Sequence, residues 1–136
     1  MLSRIFGFGR RAFDSLSEQE ILALAISSEE DDARIYRSYA DGLAEGFPHS
    51  AKMFEEMARE EDQHRAALID MHRKRFGERI PLIRREHVSG YYERKPDWLV
   101  RPLGVEKVRA QAALMERQAH VFYVEAAKRT TDASTR

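Results

Sequence analysis

Leu22-Ala23-Leu24-Ala25-Ile26-Ser27-Ser28-Glu29-Glu30-Asp31-Asp32-Ala33-Arg34-Ile35-Tyr36 is an apolar segment interrupted by a run of acids. Leu22, Glu29, Tyr36 and Leu43 follow one another at steps of seven. Such a step returns to nearly the same face of an α-helix. Ala25, Ile26, Ala33 and Ala40 flank that line. The spacing predicts an amphipathic helix whose apolar stripe contains Glu29, with Glu30 and Asp31 turned outward. A carboxylate in a core is costly unless it is paired or binds a metal. Glu29 is therefore the first candidate ligand.

The helix has a legible start. Ser17-Glu18-Gln19-Glu20 is a capping box, and Leu16 and Ile21 stand where a hydrophobic staple would close over it. Gly46 and Pro48 mark its end. A second helix is expected from about His49 to Phe76, with Met53, Met57, Ala67, Leu68 and Met71 on its inner face and Gly77 as its C′ residue. A third begins near Gly104, after Pro102, and runs to about Lys128 on a stripe of Val105, Val108, Ala112, Met115, Ala119, Phe122 and Ala126. Between them, residues 77–104 contain Pro81, Gly90, Pro96 and Pro102 and cannot form one helix. So long a connection in a small bundle fits a crossover that returns the chain along the bundle, making the second and third helices parallel. From Arg73 to Arg101 it carries nine Lys or Arg against four Asp or Glu. That excess suits a solvated loop; the alternative is a surface facing an acidic partner or anionic lipid headgroups.

Length and composition bound the rest. A chain of 136 residues, 43% hydrophobic and 34% charged, is one helix-rich soluble domain. Its 23 basic and 23 acidic residues balance, so charge gives no reason to expect nucleic acid. The absence of cysteine excludes a disulfide framework, a thiolate zinc site, a cysteine-held iron–sulfur cluster and a rubredoxin-type iron. No run is apolar enough to span a membrane. Residues 1–14 stand apart from the domain at 15–136: Met1 to Phe13 is basic and carries Ile5, Phe6, Phe8 and Phe13. It is too interrupted for a secretory signal and reads as a loosely docked terminus, with a membrane-touching segment as the alternative.

Polar residues that interrupt the apolar stripes carry the chemistry. Glu61 and His64 form Glu-x-x-His on the second helix, and residues at i and i+3 face the same way. Glu116 interrupts the third stripe, and Tyr123 follows it by seven, so Glu29…Tyr36 and Glu116…Tyr123 are one word written on two helices. Each motif alone would pass for ordinary solvated surface; the joint pattern is what is specific. Glu29, Glu61, His64 and Glu116 are the expected metal ligands. Carboxylates with imidazole suit iron, with manganese as a substitute. Tyr36 and Tyr123 are expected to hydrogen-bond to ligand carboxylates. His120, four residues after Glu116, is expected partly inward beside the ligands; His49, His72 and His87 fall outside the site.

Glu29-x6-Tyr36, Glu61-x-x-His64 and Glu116-x6-Tyr123 resemble the rubrerythrin (erythrin) branch of the ferritin-like superfamily. Trp98-Leu99-Val100-Arg101-Pro102-Leu103-Gly104 and the tail Arg129 to Arg136 resemble the N-terminal domain of bacterial membrane-bound ferritins (the ferritin A type) in the erythrin–vacuolar iron transporter family. The resemblance implies an all-α, ferritin-like antiparallel four-helix bundle with a di-iron site. It also implies a cytoplasmic domain, tethered to the inner membrane through a transporter domain, that serves iron export under iron or peroxide stress. The family pattern includes a fourth helix with another Glu and a second Glu-x-x-His. Thr131-Asp132 resembles its N-cap, so that helix is expected to be largely missing from this chain. A further family glutamate would fall near Ala119. The reading is a domain that binds or senses Fe(II) and oxidises it. The alternatives are a stand-alone ferroxidase or peroxidase and a metal-free helical dimerisation module. A flank left uncovered by three helices predicts a homodimer, with helices exchanged between chains as one arrangement.

Overall fold

Ser17 starts the first helix as its sequence predicts: its side chain accepts from the Glu20 backbone N–H at 3.1 Å, and the Glu20 carboxylate accepts from the Ser17 N–H at 3.0 Å. In this computed structural model, which describes residues 11–89 and 97–129, helix α1 then runs Glu18–Leu43. Helix α2 spans Pro48–Phe76, opening on Pro48, whose fixed φ suits a first helical position. It ends at Gly77, held at φ 91°, a conformation that disfavours any residue with a Cβ. Helix α3 spans Val105–Lys128, entered through a helical turn at Asp97–Val100 and a 3-10 turn at Arg101–Leu103.

α1 and α2 form an antiparallel hairpin. α3 crosses back so that Val108 and Met115 lie against the end of α1 that holds Tyr39 and Leu43, while Phe122 and Ala126 lie against Leu16, Ile21 and Leu24. It is thus antiparallel to α1 and parallel to α2, the arrangement that the long crossover requires. Tyr39 and Phe54, both fully buried, meet edge-on at 5.6 Å, and Tyr36 stacks on Phe54 at 6.1 Å. Burying a side chain of that size contributes roughly 1.5–3 kcal/mol.

The inner face of α2 differs from the expected one. Met53 and Ala67 are exposed, and Met57, Leu68 and Met71 only half-buried; Ser50, Ala51, Phe54, Ala58 and His72 are buried instead. Ala51, Phe54, Ala58, Glu61, Leu68 and His72 make one helical stripe, and the bulk of Phe54 decides which stripe faces α1. His72, expected only in a basic run, is fully buried, with Nδ1 at 3.0 Å from the Gly77 carbonyl oxygen and Nε2 at 3.4 Å from the Gln19 amide.

A further expectation is corrected. The stretch after residue 10 is docked, not loose: Arg11–Ala12 pairs in parallel with Val88–Ser89, Phe13 meets Phe122 edge-on at 5.8 Å, and Leu16 is buried. Arg129 at the end of α3 donates to the carbonyl oxygens of Phe13 and Leu16, both at 2.8 Å. Among the described residues, several cations of the basic stretch from Arg73 to Arg101 are paired. Arg84 pairs with Asp31 and Glu86, Arg85 with Asp32, Arg75 with Glu18 and Arg73 with Glu78. Thr131-Asp132 and residues 1–10 and 90–96 lie outside the described residues.

Candidate metal centre

Glu29 sits mid-way along α1 with its carboxylate buried against α2 and α3. Its neighbours divide outward: Glu30 is exposed and pairs with Arg65 of α2 at 3.3 Å. Asp31 was expected to point outward but is buried, because Arg84 and Arg34 satisfy its charge. Opposite opposed-charge words, Asp31-Asp32 and Arg84-Arg85, meet in order, a signal present in the sequence that patterning by apolar residues overlooks.

One oxygen of Glu29 accepts a hydrogen bond from the Tyr123 hydroxyl of α3. The other, Oε2, is buried and accepts none among the described residues; it lies 3.7 Å from His64 Nδ1. A buried carboxylate oxygen with no donor carries the cost of lost hydration. Burial accordingly pushes the Glu29 carboxyl above the usual carboxylate range, with Asp32 and Glu116 adding repulsion. The Tyr123 hydrogen bond and His64 act in the opposite direction.

Glu29, Glu61 and His64 each offer a ligand atom, and those atoms lie within 4.8 Å of one another. Glu29 is buried, Glu61 half-buried and His64 exposed, so the group opens to solvent on the α2 side. Three acceptors, two of them carboxylate oxygens and one an imidazole nitrogen, fit iron or manganese by charge and donor type. Glu116 does not join this group: it is exposed on α3, and Tyr36, fully buried, donates to its Oε1 at 2.6 Å. The two Glu-x6-Tyr words thus interlock, each tyrosine holding the other helix's glutamate. His120 was expected partly inward; it is exposed, as are Val121 and Val124 beside it. Ala119, where a further family glutamate would fall, is half-buried.

A family model described as Rubrerythrin matches residues 20–136 of this chain, a span that contains Glu29, Glu61, His64 and Glu116. Neither a curated protein nor a solved structure matches.

Proposed function

Because the chain belongs to the rubrerythrin family, we propose that it is an iron-binding domain whose di-iron centre is held by Glu29, Glu61, His64 and Glu116. The observation that carries this reading is a buried oxygen of Glu29 that accepts no hydrogen bond among the described residues, within a group of three convergent ligand atoms. Glu29, Glu61 and His64 would hold one metal, and Glu116, fixed by Tyr36, would lean on a second. Tyr123 keeps Glu29 in place while leaving its other oxygen free to bind. Iron held by these residues would supply redox chemistry toward oxygen or peroxide. The opening beside His64 gives the oxidant access.

The finer reading is that of a bacterial membrane-bound iron exporter's cytoplasmic domain, binding and oxidising Fe(II) under iron or peroxide stress. The resemblance of Trp98–Gly104 supports it. No helix among the described residues is long and apolar enough to cross a membrane, and the tether to the inner membrane would lie in a transporter domain. A second copy of the chain covering Val121 and Val124 is the expected partner.

Calorimetry with and without Mn(II) or anaerobic Fe(II) tests the metal site. A ligand that binds only the folded state at about 100 times its Kd adds about 2.7 kcal/mol. The wild-type melting temperature should rise by several degrees, and that of Glu61→Ala/His64→Ala should not. Equal shifts in both proteins would take the site away from these residues. For the exporter reading, cells lacking the protein should accumulate iron on iron loading and be rescued by wild type but not by Glu61→Ala.

A further inference from the structure

The α1 turn that carries Glu29 on one side carries the crossover on the other. Ser27 Oγ donates to the Ile83 carbonyl oxygen at 2.7 Å, Arg84 pairs with Asp31, and Arg85 donates to Asp32 Oδ1 at 2.9 Å while its Nε lies 4.0 Å from Asp31 Oδ2. The side chains of Arg85, Asp31 and Asp32 are only 8–9% exposed, so salt screens these pairs little. Asp32 stands one helical turn from Glu29, and its charge is felt there. Other charges meet the same turn: Arg65 pairs with Glu30, Arg34 with Asp31 and Glu86 with Arg84, while His64 and Glu116 act on Glu29.

We propose that Arg85, assisted by Arg84, competes with the bound metal for the field of the Glu29–Asp32 turn, so that metal loading loosens the crossover and removing the Arg85 charge tightens metal binding. The proposal rests on the metal reading given above. The Arg85 guanidinium offsets the Asp32 charge by direct contact at 2.9 Å, one helical turn from Glu29. Two like charges near a protein surface repel by an amount inversely proportional to their separation. Coupling of this kind is reciprocal: whatever the arginine costs the metal, the metal costs the arginine's hold on Asp32. The crossover would thereby report occupancy of the centre at a distance from it.

Mn(II) affinity measured by electron paramagnetic resonance, together with hydrogen exchange over residues 79–89, tests this. Arg85→Gln should bind Mn(II) about fivefold tighter or more, the lower end of typical coupling. Arg85→Lys should bind as wild type. Asp32→Asn/Arg85→Gln removes two opposite charges together and should return affinity towards wild type. Mn(II) should speed exchange in 79–89 of the wild type while slowing it around Glu29 and Glu61. A latch with only a structural role predicts the opposite: weaker or unchanged affinity in Arg85→Gln and slower exchange throughout, and either result overturns the proposal. If Mn(II) raises the melting temperature but Arg85→Gln changes nothing, the competition is wrong and the metal site stands. If Mn(II) does not bind at all, both fall.

Discussion

Tyr36 of α1 donates a hydrogen bond of 2.6 Å to Glu116 of α3, eighty residues away in the chain. Tyr123 returns the contact to Glu29. Because α1 and α3 are antiparallel and both words span seven residues, aligning one tyrosine with the opposing glutamate aligns the other pair as well. Each carboxylate is thus oriented by a phenol from the neighbouring helix, and partners that orient metal ligands commonly set affinity by one to two orders of magnitude.

Removal of either phenol should therefore weaken metal binding without unfolding the protein. Tyr36→Phe and Tyr123→Phe are expected to lower Mn(II) affinity about 10- to 100-fold. Isothermal titration reads the change, and far-UV dichroism checks the fold. Unchanged affinity in both variants would show that Glu29 and Glu116 need no orientation.

The contribution of Glu29 to the stability of the metal-free protein should fall as pH rises. Burial holds the folded Glu29 pKa above the ordinary carboxylate value, so between the two the folded state binds more protons than the unfolded state. Stability then falls through that window, and the penalty is fully present above the folded pKa. Glu29→Gln removes it. In chelator, Glu29→Gln should melt higher than wild type near neutral pH, with the gap closing on acidification below the ordinary carboxylate range. A gap independent of pH would assign the effect to packing.

Ser17→Ala isolates the helix cap from the metal site. It removes the acceptor for the Glu20 N–H and is expected to cost about 1 kcal/mol. Denaturant titration should show that loss, while Mn(II) affinity stays at the wild-type value.

Phe54→Ala tests the packing that selects α2's inner face. Phe54 is fully buried between Tyr36 and Tyr39. The cavity should cost about 3–5 kcal/mol. Met53→Ala, on the exposed side expected to be the inner face, should cost far less. Similar losses in both would mean that α2 sits rotated from the stripe described.

Association tests the exposed end of α3. Val121 and Val124 are 41% and 43% exposed and lie one helical turn apart. If a second copy covers them, light scattering should give a dimer for wild type and a monomer for Val121→Lys/Val124→Lys. A wild-type monomer at micromolar concentration would end the dimer reading.

Local sequence determined the helices and placed Glu29 on the buried face of α1. The capping box at Ser17, Pro48 and Gly77 set helix ends because capping depends on residues within one turn of each other. Heptad spacing placed Glu29 inward because it shares a line with Leu22, Tyr36 and Leu43, all of which are buried. Tertiary structure decided what spacing leaves open. α2 carries several apolar lines, and only packing of Phe54 against α1 selected one, leaving His64 exposed at the edge and Met53 in solvent. Asp31 was buried because Arg84 arrived from 53 residues away to pair with it, a gain that periodicity within α1 does not contain. Glu116 and His120 lie exposed for the matching reason: α3's periodicity specifies a face, but whether that face is covered depends on which other element packs against it.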